Sequence, residues 1–511
     1  KGAAMSEKSR HDSALINTSP GSASPRNPGK TAKTSKITLE KRQKSLKKTL
    51  EKRQKSPEKP WKNGKNKLFL QKSRFSMALF RHLNNYLKDF YASQKTALLL
   101  TGARQTGKTY AIRQLGKQFK SFVEINFIEK PEAIQLFKDA SSVDDILLRI
   151  SAISQQPLYK GETLIFFDEV QCCENIVTAI KFLVDEGSYR YALSGSLLGV
   201  ELSEIRSVPV GYLSIKETYP LDFEEFILNL GVAQRIIDSV RECWTDCRPV
   251  DPVIHEKLLE LYRLYTIIGG MPAAVEQYVT TNNLNIVSRT QSDIVALYRK
   301  DISQYAEKDK LKIKEIFDLI PSELDAKNKR FIFKRLNEHA KFDRFQNDFL
   351  WLKNAGVAIP VYNVEEPKMP LKLAATRNLF KLFSNDVGLL TAQYADGIQA
   401  KILSGDLTIN FGAIYENVVA QELLSHDYQP YYYNNKRMGE LDFVISDLNG
   451  VVPIEVKSGK DYERHNALSN VLACKDYDIE KAYVLCNGNI RRSGPVIYAP
   501  VYMTMFIRQQ T

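Results

Sequence analysis

The sequence predicts an α/β protein: a doubly wound parallel sheet, then a helical region, then a second and smaller α/β module. Three observations carry that reading. Residues 102–109 read Gly102-Ala103-Arg104-Gln105-Thr106-Gly107-Lys108-Thr109, set between the apolar run Ala97–Leu100 and the helically spaced Tyr110–Leu115. Further on, the apolar run Thr163–Phe167 ends in paired acids, Asp168 and Glu169. Near the end, Glu416, Asp442, Glu455 and Lys457 fall on an expected helix and hairpin.

A loop between strand and helix aims successive backbone N–H groups and a helix N-terminus at one point, where a polyphosphate can sit. Glycines at 102 and 107 let the backbone approach closely, Lys108 reaches the β- and γ-phosphates, and the Thr109 hydroxyl is placed to ligate Mg2+. The strand before the loop and the helix after it separate this run from a chance Gly-rich turn. The expected nucleotide-binding set is therefore Gly102, Ala103, Arg104, Gln105, Thr106, Gly107, Lys108, Thr109, Tyr110 and Asp168.

The next β-like run is Phe122–Phe127. Thr163–Phe167 reads as a buried parallel strand, because such strands are apolar throughout, and their carboxyl ends hold the ligands of α/β sheets. Asp168 is then placed to hold Mg2+ together with Thr109. Glu169 is placed to orient and deprotonate the water that attacks the γ-phosphate. A helix is expected over Ile176–Glu186 and a strand over Tyr189–Ser194. Just beyond that strand, Ser196 is the candidate sensor of the γ-phosphate; the alternative is a serine that caps the next turn. No Asn-Lys-x-Asp segment for reading guanine occurs, so ATP is expected rather than GTP. Arg206 is a bare candidate for an arginine acting in trans.

At 511 residues the chain has room for about three domains. The expected boundaries are a disordered basic tail over 1–76, the nucleotide domain over 77–235, the helical region over 236–400 and the last module over 401–511. The first 76 residues carry 21 Lys/Arg against 5 Asp/Glu, so a net charge of +13 leaves the rest of the chain at −3. Charge alone therefore does not argue for a DNA-binding body. The tail is rich in Ser, Lys and Pro, and Thr38–Lys48 is repeated imperfectly as Thr49–Lys59. Such composition buries too little apolar surface to fold alone; a nucleic-acid-binding arm is its functional alternative.

No apolar stretch is long enough to span a bilayer, and no secretory signal pattern is present. Six cysteines without a disulfide-like spacing fit a reducing compartment. A soluble cytoplasmic protein without a membrane partner is expected. Cys172-Cys173 and Cys243-x-x-x-Cys247 with His255 lack a fourth ligand at zinc spacing and read as ordinary thiols.

In the middle, Leu258–Leu264 and Ile294–Tyr305 have helical periodicity, and residues 310–365 read as three helices followed by a strand at Val357–Tyr362. In the last module, Gly412–Leu424 reads as a helix carrying Glu416. Asn449-Gly450 between two alternating runs is a hairpin signal. With those two as loop residues, Asp442 faces Lys457 and Glu455 lies one diagonal step away. Hard carboxylate oxygens on rigid strands suit a second Mg2+ held by Glu416, Asp442 and Glu455, with Lys457 helping to generate hydroxide for phosphodiester attack. An ion-pair ladder on a hairpin is the bland alternative.

The stretches Leu100–Thr109, Phe167-Asp-Glu-Val-Gln171, Leu193-Ser-Gly-Ser196 and Tyr219-Pro-Leu-Asp-Phe-Glu-Glu-Phe226 resemble the prokaryotic AAA-type P-loop ATPases that carry a DUF4143 C-terminal region. The resemblance continues through Gly269–Val275, Tyr298–Asp301, Trp351–Gly356 and Phe380–Leu390, and so covers essentially everything from Met77 onward. One departure is visible: many relatives have Gly-Arg where this chain has Gly211-Tyr212. The resemblance implies ATPase activity with ATP and Mg2+, a winged helix in the middle, and a restriction-endonuclease-like PD-(D/E)xK fold at the end. The expected function is an ATP-hydrolysing protein whose nucleotide state biases the wing and nuclease-like region on DNA, with a homo-oligomer as the candidate assembly. The alternatives are an ATP-gated, metal-dependent DNA nuclease and a non-catalytic nucleotide switch that binds a protein partner. A small-molecule kinase is disfavoured, because Glu169 directly follows Asp168 in a pairing that suits water attack.

Overall fold

The computed structural model describes residues 79–509, apart from 139, 141, 174, 196–210, 306–308, 327–328, 337–341, 395–397 and 405–410. The basic stretch 1–76, Ser196 and Arg206 lie outside the described residues. The first sheet holds β1 (Ala97–Thr101), β2 (Ser121–Asn126), β3 (Thr163–Asp168), β4 (Arg190–Ser194) and β5 (Leu213–Glu217), in the order β2-β3-β4-β1-β5 and all parallel. Alternate residues feed two cores. Leu98, Leu100, Leu164, Phe166 and Ala192 pack with Leu87, Phe90 and Ile112 of the helices His82–Ser93 and Lys108–Gly116. Leu99, Val123, Ile125, Ile165, Phe167 and Leu193 pack with Ile150 and Ile180 of the helices Val143–Ser154 and Asn175–Glu186. Burial on both faces is why β1 and β3 read as unbroken apolar runs.

The helical region contains Pro252–Ile268, Pro272–Thr281, Leu284–Tyr305, Lys310–Asp325 and Gln346–Asn354. Where a third helix is expected between the last two, the described residues form two short 3-10 turns, Phe333–Arg335 and Phe342–Arg344. The strand expected at Val357–Tyr362 is β6 (Ala358–Val364), which pairs antiparallel with β7 (Ala375–Ser384). On its other edge β6 runs parallel to β8 (Tyr431–Asn435). It is followed by β9 (Gly439–Asp447), β10 (Gly450–Val456), β11 (Ala482–Cys486), β12 (Arg491–Ser493) and β13 (Val496–Pro500). The second sheet has the order β12-β13-β11-β10-β9-β8-β6-β7, so it crosses residue 400, where the sequence analysis separates two regions.

The hairpin register differs from expectation. Gly450 pairs with Asp447 and Val451 with Ser446, so the loop residues are Leu448 and Asn449, and Asp442 falls opposite Glu455 instead of Lys457. The Asp447 carboxylate accepts from the Asn449 N–H at 2.9 Å, which closes the turn two positions after the aspartate. Moving each pairing by two residues returns every side chain to the same face, so hydrophobic alternation could not distinguish the two registers.

The regions are joined by a continuous core and by one buried ionic network. The core runs from Ala103 through Phe223, Tyr265, Leu390 and Val418 to Ile507. At its centre is the short helix Phe223–Asn229, capped by Asp222, which forms a reciprocal box with Glu225. Arg508 donates to Asp222 at 3.0 Å and to Glu224 at 2.9 Å, Arg81 to Glu225 at 3.1 Å, and the Glu422 carboxylate accepts from the Phe223 N–H at 2.8 Å. Removing one partner of a buried ion pair leaves the other charge desolvated. Arg508→Ala should therefore lower stability by about 2–3 kcal/mol, read as a lower urea midpoint.

Candidate functional site

The loop after β1 is shaped by contacts that lie far along the chain. Gly102 has φ +120°, and a Cβ there would collide with the Thr218 carbonyl oxygen, so the position requires glycine. Thr106 Oγ1 donates to the Ala103 carbonyl at 2.9 Å and pairs with Thr218 Oγ1 at 2.9 Å. Arg81 donates to the Thr106 carbonyl at 2.9 Å and to the Tyr219 carbonyl at 2.8 Å. On the helical-region side, Arg104 pairs with Asp301 at 2.7 Å and the Tyr298 hydroxyl donates to the Arg104 carbonyl at 3.0 Å. Gly107, also left-handed at φ +92°, immediately precedes the helix that begins at Lys108.

Inside this frame the Lys108 ammonium is buried and donates to the carbonyls of Gly102 at 2.9 Å and Ala103 at 2.7 Å. Burial lowers its pKa to about 8, against the pull of Glu169 and Asp168. Thr109 Oγ1 donates to the Asp168 carboxylate, 3.1 and 3.2 Å from its two oxygens. Burial pushes Asp168 up, and the Ser194 hydroxyl, which donates to it, opposes that shift. Asn126 Nδ2 donates to the same carboxylate at 3.0 Å. Glu169 follows with φ +57°, off the strand end, and accepts from Gln171 Nε2 at 2.6 Å. Tyr110 is half exposed beyond the loop, and Gln105 takes a left-handed turn position at φ +71°.

The structure thus brings Lys108, Thr109, Asp168 and Glu169 together at the carboxyl ends of β1 and β3. Hydroxyl and carboxylate oxygens beside a buried ammonium fit a nucleotide's Mg2+ and polyphosphate. Ser194 and Asn126 are the residues that the sequence analysis missed. The usable signal is the strand order. β4 lies between β1 and β3, so a polar residue ending β4 must border the acid that ends β3.

The second constellation is more crowded than expected. Lys457 Nζ lies 2.6 Å from Glu455 Oε1, and the Val456 N–H donates to Asp442 Oδ2 at 2.8 Å. Two further lysines enter. Lys329 pairs with Glu416, and Lys381, from β7, lies 3.4 Å from Glu416, 2.8 Å from Glu440 and 3.8 Å from Asp442. Burial raises Asp442 well above the ordinary carboxylate range, helped by repulsion from Glu416 and Glu455. Burial also acts on Glu416, but the ammonium groups of Lys381 and Lys329 outweigh it and hold that group low. Among the described residues no group of three or more His, Cys, Asp or Glu side chains is arranged to hold a metal ion. The residues expected to hold a second Mg2+, Glu416, Asp442 and Glu455, thus lie in one cluster, and the Lys381 ammonium stands between Glu416 and Asp442.

The thiol region is ordinary packing. Cys243 lies against the Pro249 carbonyl at 3.8 Å, while the His255 ring nitrogens face the Tyr502 hydroxyl at 3.0 Å and the Asn487 carbonyl at 3.2 Å. No helix among the described residues is long and apolar enough to cross a membrane.

Residues 94–227 match the family model described as an AAA domain. Residues 259–401 and 411–502 match two domains of unknown function, DUF8612 and DUF4143. The chain thus carries an AAA domain over residues 94–227 and a DUF4143 region over residues 411–502. Among solved structures it is similar to a Walker-type ATPase of Pyrococcus abyssi, at 14% identity over 62% of this chain and 96% of that one, with a TM-score of 0.40. It is also similar to the ORC1 protein of Aeropyrum pernix in complex with DNA, at 14% identity over 63% and 91%, with a TM-score of 0.27. A RuvB variant of Thermotoga maritima is similar at 14% identity over 58% and 89%, with a TM-score of 0.24. None of the curated proteins matches the chain.

The lowered pKa of Lys108 makes a testable link between nucleotide and proton. Polyphosphate favours the ammonium form, so binding raises a pKa that starts at about 8 and takes up a proton above that pH. Affinity for ATP should weaken as pH rises past 8, by up to about tenfold per pH unit. Calorimetry in two buffers of different ionisation enthalpy should show proton uptake at pH 8.5.

Proposed function

We propose that the chain binds ATP at Gly102–Thr109 and hydrolyses it. The observation that carries this reading is the convergence of a buried ammonium, a hydroxyl and two successive carboxylates at the ends of two parallel strands. Lys108 holds the β- and γ-phosphates. Thr109 and Asp168 would hold Mg2+, which neutralises phosphate charge when bound. Ser194 and Asn126 fix the Asp168 carboxylate through its two oxygens. Glu169, with one oxygen held by Gln171, accepts the proton of the water as its oxygen bonds to the γ-phosphorus and the bond to the β–γ bridging oxygen breaks.

The finer reading couples this hydrolysis to DNA through the C-terminal region. It is supported by the order of elements there: the helix Phe411–Ser425, the antiparallel strands β8, β9 and β10, the helix Asn466–Ala473, then β11 parallel to β10. Glu416, Asp442 and Glu455-x-Lys457 occupy that helix, β9, and β10 with the residue just past its end, the placement expected of a PD-(D/E)xK scaffold. DNA engagement, rather than metal-dependent cleavage, is the favoured role because Lys381 fills the acid cluster.

Lys108→Ala should abolish ATP binding. Glu169→Gln should bind ATP as the parent does and turn over about 10²–10⁴-fold more slowly; unchanged turnover would remove Glu169 from this role. For the coupling, ATPase rates are compared with and without duplex and single-stranded DNA at two salt concentrations. Stimulation that weakens with salt supports backbone contact. A flat response would favour the switch that binds a protein partner.

A further inference from the structure

We infer that the acid cluster of the second sheet carries its own cation. The Lys381 ammonium stands where a divalent ion would have to bind, the protein has no divalent-cation site there, and removing that ammonium creates one. The inference goes beyond the ATPase reading and does not rest on it.

Lys381 is fully buried on β7, and its ammonium bridges three carboxylates from two other elements, Glu416 on the helix and Glu440 and Asp442 on β9. The remaining oxygens of those three groups are also engaged. Glu416 Oε1 takes Lys329, Glu440 Oε2 accepts from Asn434, and Asp442 Oδ2 accepts from the Val456 N–H. A magnesium- or calcium-sized ion needs several oxygens at about 2.0–2.6 Å. Here it would have to strip those partners and sit against a buried positive charge. The competing ammonium is tethered to the same sheet, so it cannot be diluted away.

Among the described ion pairs the cluster holds more carboxylates than ammonium groups. Four carboxylates, Glu416, Glu440, Asp442 and Glu455, face three ammonium groups, Lys329, Lys381 and Lys457. Glu455 Oε1 holds Lys457, while its Oε2 is buried without a hydrogen-bond partner among the described residues. Taking away the Lys381 charge frees inward-facing oxygens of Glu416 and Asp442 beside that unpartnered oxygen. Among the described ion pairs four carboxylates then face only Lys329 and Lys457, an excess of negative charge in a largely buried cluster that a divalent ion can offset.

The test uses the nucleotide-free full chain and Mn2+ as probe, with free Mn2+ followed by electron paramagnetic resonance. The parent and Asp442→Asn should take up the same amount of Mn2+. Lys381→Met, which keeps the length of the side chain and removes its charge, should bind one more ion per chain, and adding Asp442→Asn should abolish that gain. A saturable site in the parent that disappears in Asp442→Asn would overturn the inference. So would a folded Lys381→Met protein that binds no more than the parent. If Lys381→Met does not fold, the comparison of the parent with Asp442→Asn still decides whether the native cluster accepts a metal.

Discussion

Burial of the short acidic helix Phe223–Asn229 is the constraint on which the rest of the molecule depends. Asp222, Glu224 and Glu225 are all nearly inaccessible, and desolvating a carboxylate costs several kcal/mol unless a charge or several donors meet it. Beyond the capping box between Asp222 and Glu225, the charged partners come from outside the helix. Arg81 and His82 precede the first strand, Arg241 follows the helix, His426 ends the helix that carries Glu416, and Arg508 lies at the far end of the described chain. The helix can be buried only when these segments are assembled together. The phosphate loop shares that dependence. Arg81, which meets Glu225, also holds the Thr106 and Tyr219 carbonyls, and Thr218 just before Tyr219 fits against Gly102.

From the loop, contacts continue toward the second sheet. The Arg104 carbonyl meets the Tyr298 hydroxyl, and that hydroxyl accepts from Asn385 Nδ2 at 3.3 Å. The preceding residue, Ser384, exchanges two backbone hydrogen bonds with the Asn417 side chain, next to Glu416. β7 thus has its loop-facing end at Ser384 and Asn385 and its buried ammonium at Lys381. Contiguity is not coupling, which needs an element with two arrangements that both sites bias. The physical point is narrower: a nucleotide that reorganised Arg104 would act on groups packed against the strand that neutralises the acid cluster.

The parts legible in the sequence were those written in periodicity or in a loop with fixed chemistry. Unbroken apolar runs gave β1 and β3, and the glycines at 102 and 107 marked backbone conformations that other residues rarely adopt. Less was legible where a single polar residue carries the information. Ser194 ends an apolar strand and looks like any strand-end serine until the strand order puts it beside Asp168. Lys381 sits in Phe380-Lys-Leu-Phe-Ser384, where alternation alone says little about a charge; its partners lie in segments far along the chain, and its strand was expected to belong to a separate region. The hairpin register failed for a different reason. A two-residue slip preserves every face, and the choice was made by one aspartate side chain closing the turn.

Two buried lysines in one chain show why burial by itself does not define a site. Lys108 is held by neutral carbonyl oxygens, with its acids acting only at a distance, so burial prevails and its pKa falls to about 8. Lys381 is buried at least as deeply, yet Glu416, Asp442 and Glu440 outweigh desolvation and keep it charged. The first ammonium lacks a close anion and gains by receiving one. The second already has its anions and gains nothing from a newcomer. Chemistry driven by an incoming polyphosphate therefore belongs at the first lysine. The second shows how carboxylates on a helix and a sheet can be met by ammonium groups of the same chain.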